Sequence, residues 1–393
     1  MDGMWADLLP VGRDDTTGGY RRHAWTPADL TSREWFAAEA ARRGLDLVVD
    51  RNGNQWAWWG DPDAGEAGVV TGSHLDSVPD GGAYDGPLGV VSAFAAVDRL
   101  RELGQVPRKP LGVANFTDEE GARFGIACAG SRLLTGALDP DRARALVDAE
   151  GSTLAEAMRS AGLDPGGLGR DDETLRRVGT FVELHVEQGR ALVDAGAAVG
   201  VAAGIWPHGR WRLDLDGEAN HAGTTRLADR DDPMLRLAAA VLAARAAAAG
   251  REAVATIGRV DVHPNGTNAI PSRVRAWLDA RGADEADVRA VVAAVGAAAG
   301  AGPVEESWTP EVLFASGLRD RLAGDLGGAP VLPTAAGHDA GILAGAGVEA
   351  AMLFVRNPTG VSHSPAEHAD EADCHAGVEA LATVLADLTG ARG

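Results

Sequence analysis

Apolar positions first recur at helical spacing over residues 27–43, where Leu30, Trp35, Phe36 and Ala40 line one face and Gly44 marks a stop. Short strands are expected at 45–50 and 55–59, joined by Asn52-Gly53, a pair suited to a hairpin turn. Trp56, Trp58 and Trp59 read as packing residues. Gly68-Val-Val70 closes a buried strand, and a polar, glycine-rich loop follows. A helix is expected at about 88–103 and a second buried strand at 110–116. Residues 137–178 are rich in Asp and Arg, with surface helices expected at 141–148 and 153–161. Phe181, Val182, Leu184 and Val186 then mark another strand.

From about His208 the texture changes. Arg210-Trp-Arg-Leu-Asp-Leu-Asp216 alternates polar and apolar, as a strand with one solvated face does. An alanine-rich helix at 232–249, strands at 253–260 and 274–280 and a helix at 284–299 complete an α+β unit. Buried α/β texture resumes with Pro330-Val-Leu-Pro333 and with 348–355, before a last helix at about 373–388. The pattern predicts an α/β domain interrupted by an insertion: 1–207 and 313–393 form one domain and 208–312 the other.

Composition narrows the function. The 393 residues are 45% hydrophobic and carry a net charge of −21, with a pI near 4.8. No basic run appears, so nucleic acid is an unsuited partner. An anionic substrate would need local cations or metal to draw it in. The alanine-rich stretches are too short and interrupted to span a bilayer. Two cysteines, Cys128 and Cys374, offer no disulfide framework. With no apolar signal segment near the start, the expectation is a cytoplasmic protein without a membrane partner.

The candidate chemistry gathers at strand ends, where open α/β sheets hold their sites. The loop after Gly68-Val-Val70 offers His74, Asp76, Asp80 and Asp85. Imidazole with carboxylate suits zinc or a similar divalent ion. Asp76 lies two residues after His74, so on extended backbone both side chains share a face. Its carboxylate is expected to accept the imidazole N–H and free the other nitrogen for metal. The strand at 110–116 ends in Thr117-Asp-Glu-Glu-Gly121. There one glutamate can ligate metal while the other, held off it, acts as general base. His185 and Glu187 repeat the His-x-carboxylate spacing, and His363 follows a strand and a glycine turn much as His74 does. Together His74, Asp85, Glu120, His185 and His363 make five candidate ligands with one shared carboxylate, the composition of a two-metal site.

Ser73-His-Leu-Asp-Ser77, Asp85-Gly86, Asp118-Glu-Glu-Gly121, Glu183-Leu-His-Val-Glu-Gln-Gly189, Ala219-Asn-His-Ala-Gly-Thr-Thr225, Asn268-Ala-Ile-Pro271, Gly337-His-Asp-Ala340 and Ser362-His-Ser-Pro-Ala-Glu367 span nearly the whole chain. This set resembles the hydantoinase/carbamoylase branch of the M20 metallopeptidase-like amidohydrolases. That branch includes allantoate amidohydrolase, N-carbamoyl-L-amino-acid hydrolase and β-ureidopropionase. The resemblance implies an M20-type catalytic domain, a mixed sheet flanked by helices, carrying an inserted α+β lid and dimerisation domain. It implies two divalent ions per subunit, zinc first, with manganese, cobalt or nickel as alternatives. His74, bridging Asp85, Glu120, His185 and His363 would hold them. Glu119 would be the general base, Asp76 would orient His74, and His221 would stabilise the oxyanion, reaching in from the inserted domain, usually that of the partner subunit in a dimer. Gln188, Asn268 and Arg281 would hold a small anionic substrate, Arg281 through a bidentate pair with its carboxylate, and His338 would line the pocket. A homodimer through the inserted domain is implied too.

The chain departs from the family pattern at Arg226, where proline is usual, and in Arg356-Asn-Pro-Thr-Gly360. Either arginine could bind a second substrate carboxylate. The first expectation is hydrolysis of an N-carbamoyl or ureido acid such as allantoate, and the alternative an N-formyl- or N-formimino-L-glutamate hydrolase. A di-zinc exopeptidase is set against by Asn-His-Ala-Gly-Thr-Thr, and a non-catalytic small-molecule-binding dimer by the filled ligand and base positions.

Overall fold

All seven residues of the strand Gly68–His74 and all six of Leu111–Phe116 are buried, as strands covered on both faces are. The computed structural model describes residues 1–392. These strands sit in a nine-stranded mixed sheet. Through its centre the order is Asp46–Val49, Gln55–Trp59, Leu111–Phe116, Gly68–His74, Val178–Val186, Glu349–Val355, Val199–Ile205. The four strands from Leu111–Phe116 to Glu349–Val355 run parallel, and antiparallel strands flank them. Parallel strands bring their C-terminal ends to one edge. That edge receives the loops after His74, Phe116, Val186 and Val355.

The helix Pro87–Glu102 follows Gly68–His74 and returns the chain to Leu111–Phe116. It buries Leu88, Val91, Phe94 and Leu100 in a core shared with Val113, Leu184 and Leu353 of the sheet and Leu381 and Leu385 of the helix Glu371–Thr389. Phe94 meets Trp35 edge-on at 6.1 Å and Phe36 at 5.1 Å, so Phe94→Ala would cost about 3–5 kcal/mol. The helix Pro27–Arg42 starts where Thr26 accepts the Asp29 N–H and Pro27 fixes the first turn.

The chain divides into two units, Met1–Ala203 with the chain from Leu313 onward, and Gly204–Val312. The second has its own core. Four antiparallel strands, Val304–Thr309, His208–Asp216, Arg273–Gly282 and Ala253–His263, form a sheet in that order. Trp211, Leu213, Leu215, Val274, Ala276 and Leu278 face the helices Pro233–Ala249 and Glu285–Ala299. Asp232 and Asp284 cap those helices. A two-residue ladder pairs Asn220–His221 with Ala269–Ile270.

Several elements differ from the sequence reading. Val304–Thr309 carries two glutamates and no apolar alternation, yet its edge position needs little burial. Pro330-Val-Leu-Pro333 is not a buried strand. Val331–Thr334 pairs off the main path of the sheet and remains partly exposed. Charged residues 137–178 hold short helices over a small core of Ala143, Leu154, Ala157 and Met158. Among the described residues no helix is long and apolar enough to cross a membrane.

Candidate metal centre

His74 ends its strand fully buried, and the loop that follows turns back so that Asp85 faces it. Gly86, at φ +82°, makes the turn possible, since a methyl group there would overlap the His74 ring. Asp85 is the hub. Its Oδ1 lies 3.1 Å from His185 Nε2 and 3.7 Å from His74 Nε2. Its Oδ2 lies 3.3 Å from His363 Nε2, which is 3.6 Å from Glu120 Oε1. Asp85 joins two groups, His74, Asp85 and His185, and Asp85, Glu120 and His363; two more adjoin them, His74, Glu119 and Glu120, and Glu183, His185 and His338. In each, every residue offers one ligand atom within 4.8 Å of the others.

Hydrogen bonds fix the rings. His185 Nδ1 sits 2.9 Å from the Val186 carbonyl, which takes its proton and leaves the lone pair of Nε2, beside Asp85, for a metal. His74 Nδ1 lies 3.1 Å from the Asp76 carbonyl oxygen and 3.5 Å from its carboxylate. Asp76 thus faces the ring with both its peptide oxygen, the nearer, and its carboxylate. That carboxylate also accepts the N–H groups of Glu119 at 3.1 Å and Glu120 at 3.0 Å, tying two strand-end loops together.

Glu119 stands beside this hub. Its Oε2 is 3.8 Å from His74 Nε2, and its Oε1 accepts the Cys128 thiol at 3.2 Å. Asp118, Cys128 and His363 all have positive φ, an arrangement costly for residues with a side chain and concentrated at this edge. Among the described residues, both buried Asp118 carboxylate oxygens and Glu120 Oε1 find no hydrogen-bond partner.

The electrostatics are those of crowded acids. Burial raises Glu119 well above its ordinary value, with Glu120, Asp339 and Asp76 adding to the effect and His74 opposing it. Burial and Asp85 raise Glu120 to about 7. Burial disfavours the charged form of Asp85, but hydrogen bonds from His185, His363 and His74 hold it well below the carboxylate range. Burial opposes charge on His363 too, yet Asp85 and Glu120 lift it to about 9. A donor set of imidazoles and carboxylates, one acid shared between two groups, an orphaned Glu120 oxygen and uncompensated anionic charge all fit divalent cations.

The remaining candidates fall in several places. Gln188 Nε2 donates to Asp85 Oδ2 at 3.0 Å and lies 3.3 Å from His363 Nε2, so it belongs to the hub. His338 is 3% exposed and its ring lies 4.6 Å from that of His185. It backs a candidate ligand rather than lining an open pocket. Asp80 is not at the centre; it pairs with Arg21 at 2.9 Å. Glu187 turns away from His185 and accepts the N–H groups of Ala191 and Leu192 at the start of the helix Ala191–Ala195.

In the second unit, His221 and Asn268 are exposed neighbours, linked by an Ala222 N–H to Asn268 carbonyl bond. His221 Nδ1 accepts N–H bonds from Gly223 at 2.9 Å and Thr224 at 3.2 Å. The ring proton of the neutral imidazole therefore resides on Nε2. Asp279 grips Arg281 side-on, at 2.7 Å to Nε and 3.0 Å to Nη2. Arg356 is gripped the same way by Asp373, at 2.8 Å for both bonds. Arg226 is 82% exposed and pairs with Asp229.

Sequence reasoning passed over Glu183 and Glu367. Glu183 is fully buried, accepting from the Ser73 hydroxyl and the Ala340 N–H. It lies two residues before His185, hence on the same strand face, and that spacing was the available signal.

A mixed α/β sheet with histidines and acids converging at the ends of its parallel strands has the arrangement of a metal-dependent hydrolase. The model for Peptidase family M20/M25/M40 matches residues 70–387. The chain is 37% identical to an N-carbamoyl-L-amino acid amidohydrolase of Geobacillus stearothermophilus, over 96% of each chain. It is 31% identical to an allantoate amidohydrolase of Escherichia coli (strain K12), over 95% of this chain and 94% of that one. A hydantoinase/carbamoylase family amidase from Burkholderia ambifaria has a similar structure, with TM-score 0.78 and 32% identity over 99% of this chain and 96% of that one. The chain belongs to the M20 family, in its hydantoinase/carbamoylase branch.

Proposed function

We propose that this chain hydrolyses the linear C–N bond of an N-carbamoyl or ureido acid, allantoate or an N-carbamoyl-L-amino acid, in the cytoplasm. The observation that carries the reading is Asp85 shared between two ligand groups, with the Glu119 carboxylate beside them, 3.8 Å from His74 Nε2. Two divalent ions, zinc first, held by His74, Asp85 and His185 and by Asp85, Glu120 and His363, would supply Lewis-acid polarisation of the scissile carbonyl and acidify a water.

The chain's own groups do the rest. Glu119 takes a proton from the attacking water and passes it to the leaving nitrogen. The Cys128 thiol occupies one of its oxygens, leaving the other toward His74. His221 offers Nε2–H to the developing oxyanion; losing such a donor costs about 10²–10³ in rate. Gln188 and Asn268 supply amide contacts, and Arg281, oriented by Asp279, takes the substrate carboxylate. The second unit serves as lid and dimerisation domain. Leu235 and Leu242, 71% and 72% exposed on one helix, and the edge strand Ala253–His263 support a homodimer.

The N-formyl- or N-formimino-L-glutamate reading requires a further cation for a second carboxylate. Arg356, one of two candidates, is engaged by Asp373 as Arg281 is by Asp279, so the substrate panel decides between the readings. A panel of allantoate, N-carbamoyl amino acids, N-formylglutamate and dipeptides, assayed with the zinc- or manganese-loaded protein, tests the proposal. Ammonia or CO₂ release from a ureido substrate is expected. Turnover confined to dipeptides or to N-formylglutamate would sink it.

A further inference from the structure

One loop, after the strand Glu349–Val355, delivers His363 and, four residues later, Glu367. Glu367 is 5% exposed, and its carboxylate meets backbone N–H groups and a hydroxyl. Its Oε1 accepts two consecutive backbone donors, Tyr84 N–H at 3.0 Å and Asp85 N–H at 2.9 Å. Its Oε2 lies 3.1 Å from Ser362 Oγ, which in turn is 3.2 Å from Asp85 Oδ2. Glu367 therefore holds Asp85 at both ends, by the peptide directly and by the carboxylate through a hydroxyl. The opposite wall is Gly82, where a methyl group would overlap the Glu367 carboxylate. The fit is close on both sides, and nearly three hundred residues separate the partners in sequence.

We propose that Glu367 is a positioning residue that fixes the rotation of Asp85 so that its two oxygens face the two ligand groups at once. A carboxylate serving two cations tolerates little tilt, because a turn that favours one group withdraws an oxygen from the other. Taking Asp85 at its N–H and at Oδ2 removes that freedom. Residues that orient a ligand in this way typically account for about 10–100-fold in metal affinity. Glu367 lies outside the candidate ligand groups and acts through Asp85. The inference rests on the reading of Asp85 as a shared metal ligand.

The test is zinc affinity of the chelator-stripped full-length chain, measured by competition with a chromophoric chelator. Glu367→Ala removes the grip, and Gly82→Ala displaces the same carboxylate from the other side. Both are expected to weaken zinc binding by about 10–100-fold. Glu367→Gln keeps an oxygen for the two N–H donors and an amide to meet Ser362, and should recover most of the affinity, a rescue that mere loss of packing would not give. If Glu367→Ala does not fold, Gly82→Ala and Glu367→Gln decide the matter. Wild-type affinity in Glu367→Ala, or in a folded Gly82→Ala, overturns the inference alone and leaves the metal reading standing. A wild-type chain that takes up no zinc overturns both.

Discussion

Asp76 reaches Glu119 through the backbone: its Oδ1 accepts the Glu119 N–H at 3.1 Å, while its Oδ2 takes the Glu120 N–H at 3.0 Å. One carboxylate thus sets the peptide between the proposed base and a proposed ligand. Asp76→Asn would turn an NH₂ toward one of those two donors, leaving that N–H buried without an acceptor. The expected result is a folded protein with kcat reduced about 10–100-fold and a lower metal content. Steady-state kinetics with metal analysis checks it, and unchanged values for both would remove this role.

The same pair marks where sequence reading ends. His74, Asp85, Glu120, His185 and His363 were readable as a group because they lie at strand ends or in the loops that follow them, and parallel strands end at one edge. Their spacing along the chain carried that information. Which atom a side chain finds did not follow from spacing. Asp76 lies on the right face of His74, yet its peptide oxygen is nearer the ring than its carboxylate. Asp80 stands six residues from His74 in sequence and is captured by Arg21, brought alongside by tertiary folding. Glu187 has the His-x-carboxylate spacing, but two unpaired N–H groups at a helix start compete for it and win. Val304–Thr309 lacks strand periodicity because an edge strand draws its order from its neighbour's ladder more than from burial.

Glu119→Gln separates base from ligand. Glutamine matches the size of glutamate and can still accept the Cys128 thiol, but it cannot take a proton from water. If Glu119 is the base, the variant folds, retains the metal content of wild type and loses turnover by about 10²–10⁴-fold. Retained metal with near-normal turnover would assign the base to another group. Lost metal would move Glu119 into the ligand set.

Asp29 supplies a pH-dependent stability term. It is buried in the first turn of the helix Pro27–Arg42, accepting the Trp25 N–H at 2.8 Å. Burial raises its pKa from 3.8 to about 6, against the pull of Arg33. A folded-state pKa above the unfolded one means the folded chain binds the proton more tightly. Its contribution is therefore fully present below pH 3.8 and is lost as the pH rises through about 6. Asp29→Asn keeps the acceptor and removes the charge. Relative to wild type it should gain stability between about pH 4 and pH 6, then plateau at a gain on the order of 1–3 kcal/mol. Urea unfolding at fixed temperature across that range reads the difference. A difference independent of pH would mean Asp29 is not the group responsible.

Leu235 and Leu242 stand seven residues apart on the helix Pro233–Ala249, so they share a face, and both are more than two-thirds exposed. The adjoining strand Ala253–His263 is a sheet edge that pairs on one side only, with Arg273–Gly282, and exposes Val254 and Val260. An edge of unpaired N–H and C=O groups beside exposed leucines is unfavourable in a lone subunit. A second copy related by a two-fold axis, the homodimer proposed above, would cover both features at once, since an isologous contact presents the same patch from each side. Each leucine so buried contributes about 1.5–3 kcal/mol. Leu242→Glu would bring two carboxylates into that contact, one from each subunit, and should shift the protein from dimer to monomer while leaving its fold intact. Sedimentation velocity distinguishes the states. A wild type that sediments as a monomer, or a Leu242→Glu variant that remains dimeric, would exclude this face as the interface.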